Sequence, residues 1–302
     1  MRDPTAARRL AAGDLEAVLL PAQGMLVASL RHRGAEILRR VDDLEAAAAK
    51  GSTAGIPLLH PWANRLAGLR YRAAQREVAL DPSSPLLHLD GNGLPIHGVP
   101  WSRLAFEPGP VSPARLAARL EWSRPELLAI FPFRHRLELE ALLRPGSLTL
   151  ETRLVAGPDG PVPLCFGFHP YLGLPALPRG QWTLRLPAMR RLALDGRGIP
   201  TGAEEAFAGL DAPLGELDFD DGFALLEEQA SFSLAGAGRR ISVEVIAGYA
   251  YAQIFAPKAE SFVALEPMTA PTNALASGRG LRLVEAGGEF CATFRIRVES
   301  AP

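Results

Sequence analysis

Residues 136–154 read Arg136-Leu-Glu-Leu-Glu-Ala-Leu-Leu-Arg144-Pro-Gly-Ser-Leu148-Thr-Leu-Glu-Thr-Arg-Leu154. Leu137, Leu139 and Ala141 alternate with Glu138 and Glu140, and the alternation resumes at Leu148 once Arg144-Pro-Gly-Ser has passed. Side chains on a strand point to opposite faces with period two, so this is a half-buried strand, a turn and a second strand. The chain closes in the same way: Phe290, Ala292, Phe294, Ile296 and Val298 fall on one face, with Thr293, Arg295, Arg297 and Glu299 on the other. Further strand runs are Gly13–Leu20, Met25–Arg31, Leu116–Trp122, Trp182–Leu186, Ser231–Leu234, Ile241–Ile246, Tyr251–Phe255 and Phe262–Leu265, with a turn at Ala235-Gly-Ala-Gly. Helix composition appears only at Asp43-Leu-Glu-Ala-Ala-Ala-Ala-Lys, which Gly51 would stop. Many short strands separated by turns predict an all-β chain folded as a large antiparallel β-sandwich.

The 302 residues carry 32 basic and 33 acidic side chains, a net charge of −1, which excludes a generally basic nucleic-acid binder. Only Lys50 and Lys258 are lysines. No composition break, charge run or repeat divides the chain, so residues 1–302 are expected to form one domain. Cys165 and Cys291 cannot build a disulfide framework or a four-thiolate zinc site, and both read as small buried hydrophobes in strands. The N-terminus, Met1-Arg-Asp-Pro-Thr-Ala-Ala-Arg-Arg, has charges where a signal peptide has its apolar core, and no run is long enough for a membrane span. A cytoplasmic protein without membrane or nucleic-acid partners is expected.

Four segments break the strand pattern. They are Gly55-Ile-Pro-Leu-Leu-His-Pro-Trp-Ala-Asn-Arg-Leu, Gly91-Asn-Gly-Leu-Pro-Ile-His-Gly, Phe166-Gly-Phe-His-Pro-Tyr-Leu and Phe262-Val-Ala-Leu-Glu-Pro-Met-Thr-Ala-Pro-Thr-Asn-Ala. His169 and Glu266 each follow an apolar run and directly precede a proline. The residue before proline is driven into extended geometry, which fixes the direction of its side chain at a strand end. A histidine and a carboxylate fixed in this way suit general acid–base chemistry, which needs one placed donor and one placed acceptor. The plainer reading is a hydrogen-bonded core histidine and a turn glutamate. Asn64 and Arg65 interrupt an apolar stretch and offer donors and an acceptor to vicinal hydroxyls or a carboxylate, or else Arg65 clamps a loop carbonyl or a buried Glu. His97 follows an apolar run and precedes Gly98, where backbone can approach closely, or else is structural, and Trp62 and Trp101 could stack on a sugar or sit in the core. Asp218-Phe-Asp-Asp-Gly-Phe lacks the alternating ligands of a calcium loop, and no histidine pair has metal spacing, so no metal and no cofactor is expected.

Taken in order, these segments resemble the aldose 1-epimerase (galactose mutarotase) family. Pro61-Trp-Ala-Asn-Arg resembles its Asn-Arg motif, Ile96-His-Gly and Phe168-His-Pro-Tyr its two histidine motifs, Asp220-Asp-Gly-Phe its acidic residue before an aromatic, and Leu265-Glu-Pro-Met-Thr-Ala-Pro-Thr-Asn its glutamate. The resemblance runs through nearly the whole chain. Phe168 departs from it, since many members have Asn before the second histidine, and either Asp220 or Asp221 could match, the spacing to Phe223 favouring Asp220.

The resemblance implies a galactose mutarotase-like supersandwich and an isomerase that interconverts the α and β anomers of an aldohexose by opening and reclosing the ring. Glu266 would be the base for the C1 hydroxyl and His169 the acid for the ring oxygen. His97, Asn64, Arg65 and Asp220 would hold the sugar. The partner would be a monosaccharide, the assembly a monomer or homodimer. A hexose 6-phosphate substrate, with Arg70 and Arg72 as candidate phosphate ligands, and a non-catalytic sugar-binding protein on the same fold are the alternatives. A hydrolase would require two carboxylates flanking the bond, where this chain offers a histidine and a glutamate.

Overall fold

His135–Arg144 and Ser147–Ala156 pair antiparallel from Arg144 opposite Ser147 to His135 opposite Ala156, with Pro145 and Gly146 as the turn. They lie in a computed structural model that describes residues 7–300, apart from 42, 50, 51 and 176. Leu137, Leu139, Ala141, Leu148, Leu150 and Leu154 are buried along this hairpin, so the alternation read from the sequence sets its inward face. Seven more strands extend it into a nine-stranded antiparallel sheet, in which Glu289–Ser300 separates the hairpin from Arg239–Ala247.

An eight-stranded sheet faces it. Its order runs from Pro200–Phe207 through Met189–Leu194, Phe219–Leu225, Tyr251–Ala256 and Val263–Met268 to Gly167–Phe168 and Leu58–Leu59, and Tyr171–Leu172 also pairs with Val263–Met268. The inner faces meet in one apolar cluster that includes Phe168, Phe223, Ile254 and Leu265 of this sheet and Leu139, Leu150 and Phe294 of the other. Phe168 and Phe294 touch directly, with ring centroids 5.1 Å apart. This is the antiparallel sandwich that the alternation predicts. A four-stranded sheet, Arg8–Ala12, Leu15–Leu20, Leu26–His32 and Ala35–Glu36, contributes Leu10, Leu15, Leu19 and Leu30 to the same core.

Two sequence expectations are corrected, on the helices and on the cysteines, and the two tryptophans take the core reading. The helix Leu44–Ala49 forms, its expected stop at Gly51 lying outside the described residues, but Pro125–Ile130 and Ala274–Ser277 are helical too. Pro125 occupies the first turn of its helix, where its missing N–H costs nothing. Cys165 is buried but sits between strands, where burial pushes its thiol up to about 12. Cys291 is exposed, because it shares the outward parity of Thr293 and not the inward parity of Ala292. Trp62 and Trp101 are core residues, 0% and 4% exposed, and offer no face to a ligand. Among the described residues no helix is long and apolar enough to cross a membrane.

Candidate active site

The register of the eight-stranded sheet builds the site. On one flank of Val263–Met268, Gly167 pairs with Met268 and Tyr171 with Ala264. His169 therefore lies across from Glu266. The ladder breaks there because Pro170 and Pro267 carry no N–H, and the His169 N–H turns instead to the Pro57 carbonyl at 3.1 Å. His169 directly follows the end of its strand, Gly167–Phe168, in keeping with the expected strand-end position. Glu266 lies inside its strand, which runs on through Pro267 to Met268.

On the other flank Gln253 pairs with Glu266, and one strand further Asp220 pairs with Phe255. Residues two apart share a face, so His169 and Tyr171, Glu266, Gln253 and Phe255, and Asp220 all rise from one side of the sheet. The contacts agree. His169 Nε2 is 3.1 Å from Glu266 Oε1, the Gln253 amide donates to Asp220 Oδ1 at 2.7 Å, and the rings of His169 and Tyr171 are stacked at 4.0 Å.

Asp221 has the opposite parity and meets Arg191, with Nε and Oδ1 3.4 Å apart. Of the two adjacent aspartates, Asp220 is the one brought to Glu266.

Asn64, Arg65 and His97 reach the site from loops. Asn64 and His97 both have left-handed backbones, with φ of 57° and 63°. They clasp each other: the His97 N–H donates to the Asn64 carbonyl at 2.9 Å, and the Asn64 N–H donates to His97 Nδ1 at 3.3 Å. Gly98 lets the His97 loop approach the His60–Pro61 backbone, since a Cβ there would lie 2.4 Å from the His60 carbonyl oxygen. Arg65 is held by Asp90 at 2.7 Å and by Asn64 Oδ1 at 3.2 Å, and its guanidinium lies 3.8 Å from Asp220. Asn273, from the motif after Glu266, ties this loop down: its N–H donates to the Arg65 carbonyl and its side-chain oxygen accepts the Ala67 N–H, both at 2.9 Å. The His97 ring meets His169 edge-on at 5.6 Å. All six residues named from the sequence converge, and Gln253 and Tyr171 join them.

Burial governs the electrostatics. His169 and Glu266 are 3% and 2% exposed. Desolvation pushes the Glu266 carboxyl well above its usual range, with the Asp220 charge adding to the rise and Arg65 opposing it. It also holds the His169 imidazole well below its usual value, helped by His97 and Arg39. His97 is brought down to about 3 by burial and by the Arg65 and His88 charges. For both Glu266 and His169 the low dielectric favours the uncharged form. Glu266 Oε2 and His169 Nδ1 are buried with no hydrogen-bond partner on another residue among the described residues. Such atoms are costly unless a ligand meets them. Among the described residues no group of three or more His, Cys, Asp and Glu side chains is placed to hold a metal ion.

Comparison with known proteins matches the chain to the family model for aldose 1-epimerase over residues 9–297. No curated protein matches it. Among solved structures, a Synechocystis sp. PCC 6803 protein is similar, with TM-score 0.81 and 24% identity over 99% of this chain and 97% of that one. So is a galactose mutarotase-like protein of Clostridium acetobutylicum, with TM-score 0.81 and 19% identity over 97% and 95%. A galactose 1-epimerase of Lactobacillus acidophilus NCFM aligns with TM-score 0.77 and 15% identity over 100% and 97%. At these identities the structures speak for a shared fold. The family match, which runs from the first strand of the four-stranded sheet into the last strand of the nine-stranded one, says more: the chain belongs to the aldose 1-epimerase family.

Proposed function

We propose that the protein is an aldose 1-epimerase that interconverts the α and β anomers of an aldohexose, with Glu266 and His169 as its acid–base pair. The observation that carries this reading is their buried contact at 3.1 Å across the proline-interrupted register. In a pyranose the anomeric hydroxyl oxygen and the ring oxygen are both bonded to C1, so the groups that serve them must be neighbours.

In the opening step the Glu266 carboxylate takes the proton from the C1 hydroxyl. The C1–O1 bond becomes a carbonyl, the C1–O5 bond breaks, and O5 takes a proton from the His169 imidazolium. The free aldehyde turns about C1–C2, and the same transfers run backwards to close the ring on either face. One proton is shared by the pair throughout. Burial places it on Glu266 at rest, and the direct contact is its route to His169 before opening. Asp220, Arg65, Asn64 and His97 surround this pair with donors and acceptors for the remaining hydroxyls. A hydrolase is disfavoured because the facing pair is a histidine and a carboxylate.

One observation favours a second reading. Arg39 has no carboxylate partner among the described residues; its guanidinium donates to the Thr53 carbonyl at 3.1 Å and lies 5.1 Å from the Phe262 ring centroid and 5.7 Å from that of Tyr171, the ring stacked on His169. C6 of a pyranose branches beside O5, so Arg39 favours an anionic C6 group, as in a hexose 6-phosphate. Arg70 and Arg72, the sequence candidates for that role, are exposed on a separate hairpin.

Polarimetry of freshly dissolved α-D-glucose, α-D-galactose and α-D-glucose 6-phosphate, with and without protein, tests both readings. Mutarotation accelerated by catalytic amounts of protein is the expected result. Sugar binding without acceleration of any aldose would make the protein a binder and not an epimerase.

A further inference from the structure

Histidines that move protons usually have one ring nitrogen fixed by a carboxylate or carbonyl while the other reacts. His169 is different. Its Nε2 faces Glu266, which on the proposed function is its partner in the reaction, and its buried Nδ1 meets no hydrogen-bond partner on another residue among the described residues. The contact with Glu266 must give way during turnover, so it cannot also hold the ring plane.

Ring packing is what remains. Tyr171 lies against the imidazole with centroids 4.0 Å apart and planes at 15°, and His97 and Phe255 close two edges at 5.6 and 6.1 Å. Tyr171 is itself fixed from several sides. Its N–H donates to the Gly55 carbonyl at 3.0 Å, its carbonyl accepts the Arg39 N–H at 2.9 Å, and it pairs with Ala264. Its hydroxyl hydrogen-bonds the Thr53 hydroxyl, and Phe262 packs edge-on at 5.0 Å. Pro170, with its restricted φ, stands between the two rings in sequence and keeps them on one face.

We infer that Tyr171 is a positioning residue that holds the plane of His169 by stacking, in place of the hydrogen bond that Nδ1 lacks. With its hydroxyl committed to Thr53, Tyr171 acts through His169 and not on the sugar. The π-face it presents also suits the imidazolium that ring opening requires. The inference rests on the proposed acid–base role of His169.

Two measurements on Tyr171→Leu, Tyr171→Met and Tyr171→Phe test it: steady-state anomerisation kinetics on whichever aldose the wild type turns over fastest, and side-chain ¹H–¹⁵N correlation spectra of His169 in the free protein. Leu and Met fill the space without a ring face, and either one decides the matter if the other does not fold. Both should lower kcat by roughly 10–100-fold, the scale of a small misplacement of a reacting group, with KM nearly unchanged. Their His169 ring signals should broaden or shift. Tyr171→Phe should keep most of kcat and a wild-type His169 spectrum.

Wild-type kcat and His169 signals in the Leu or Met variant would overturn the inference. A Phe variant as slow as Leu would assign the effect to the hydroxyl, and a raised KM with unchanged kcat would make Tyr171 a sugar contact; either result overturns it. If the wild type anomerises no aldose, the proposed activity fails while the spectra still report whether Tyr171 holds the ring.

Discussion

Glu266→Gln keeps the shape of the side chain and its capacity to hydrogen-bond but cannot take a proton at neutral pH. If Glu266 is the general base, kcat should fall by ~10²–10⁴-fold, with sugar affinity changed far less. His169→Asn should fall comparably, and the double variant should be little worse than either, because both act in one concerted transfer. Initial-rate polarimetry on the three proteins measures this, and full activity in Glu266→Gln would remove the assignment. His169 and Glu266 were legible because a titratable residue before proline is a local signal. Gln253 and Tyr171 were not, although both lie in stretches already read. Gln253 sits mid-strand among the buried residues Ala252 and Ile254, and an uncharged polar group there was the available clue. Nothing in the spacing of Tyr171 reveals a stack, which exists only once Pro170 has set two rings on one face.

Strand parity separates two neighbouring carboxylates within Phe219–Leu225. Asp220 reaches Gln253 and Arg65, whereas Asp221 reaches Arg191, and partial burial raises the Asp221 carboxyl. Asp220→Asn should raise KM for the sugar several-fold, and Asp221→Asn should leave kcat and KM near wild type. Kinetics that respond to Asp221 and ignore Asp220 would reverse the assignment. At this scale the long alternating strands were legible, and those without alternation were not. Pro200–Phe207 is exposed or half-exposed throughout and so has no buried period to read. Leu58–Leu59, Gly167–Phe168 and Tyr171–Leu172 have two residues each, too few for a period at all. These short pieces frame the site, so the sequence marked its residues through motifs and not through their strands.

Across the whole molecule, burial of neutral imidazoles ties stability to pH. His60 and His135, whose Nε2 atoms are 3.0 Å apart, are held below their usual values by desolvation, His135 at about 4. His97, at about 3, and His169 are depressed as well. In the unfolded chain such groups titrate near 6.5, so below that pH the unfolded state binds more protons and stability falls as pH drops toward 4. Glu266 has the opposite sign: its raised carboxyl contributes stability below about 4.5, and this is lost as pH rises through its folded value. Four depressed histidines outweigh the raised carboxyls of Glu266 and Asp221, and urea midpoints should decline steadily from pH 7 to pH 4.5. A flat profile over that range would mean that the histidines ionise inside the fold. The facing of His169 and Glu266 has a kinetic corollary. Their meeting depends on the pairing of Gly167 with Met268 and Tyr171 with Ala264, segments distant in sequence, and a slip of one residue would turn one of the two side chains to the opposite face. A refolding chain can collapse and bury its tryptophans before that pairing is correct, because distant strand pairings form late. Recovery of turnover should therefore lag behind recovery of tryptophan fluorescence, and the delay would clock the moment at which these strands find their alignment.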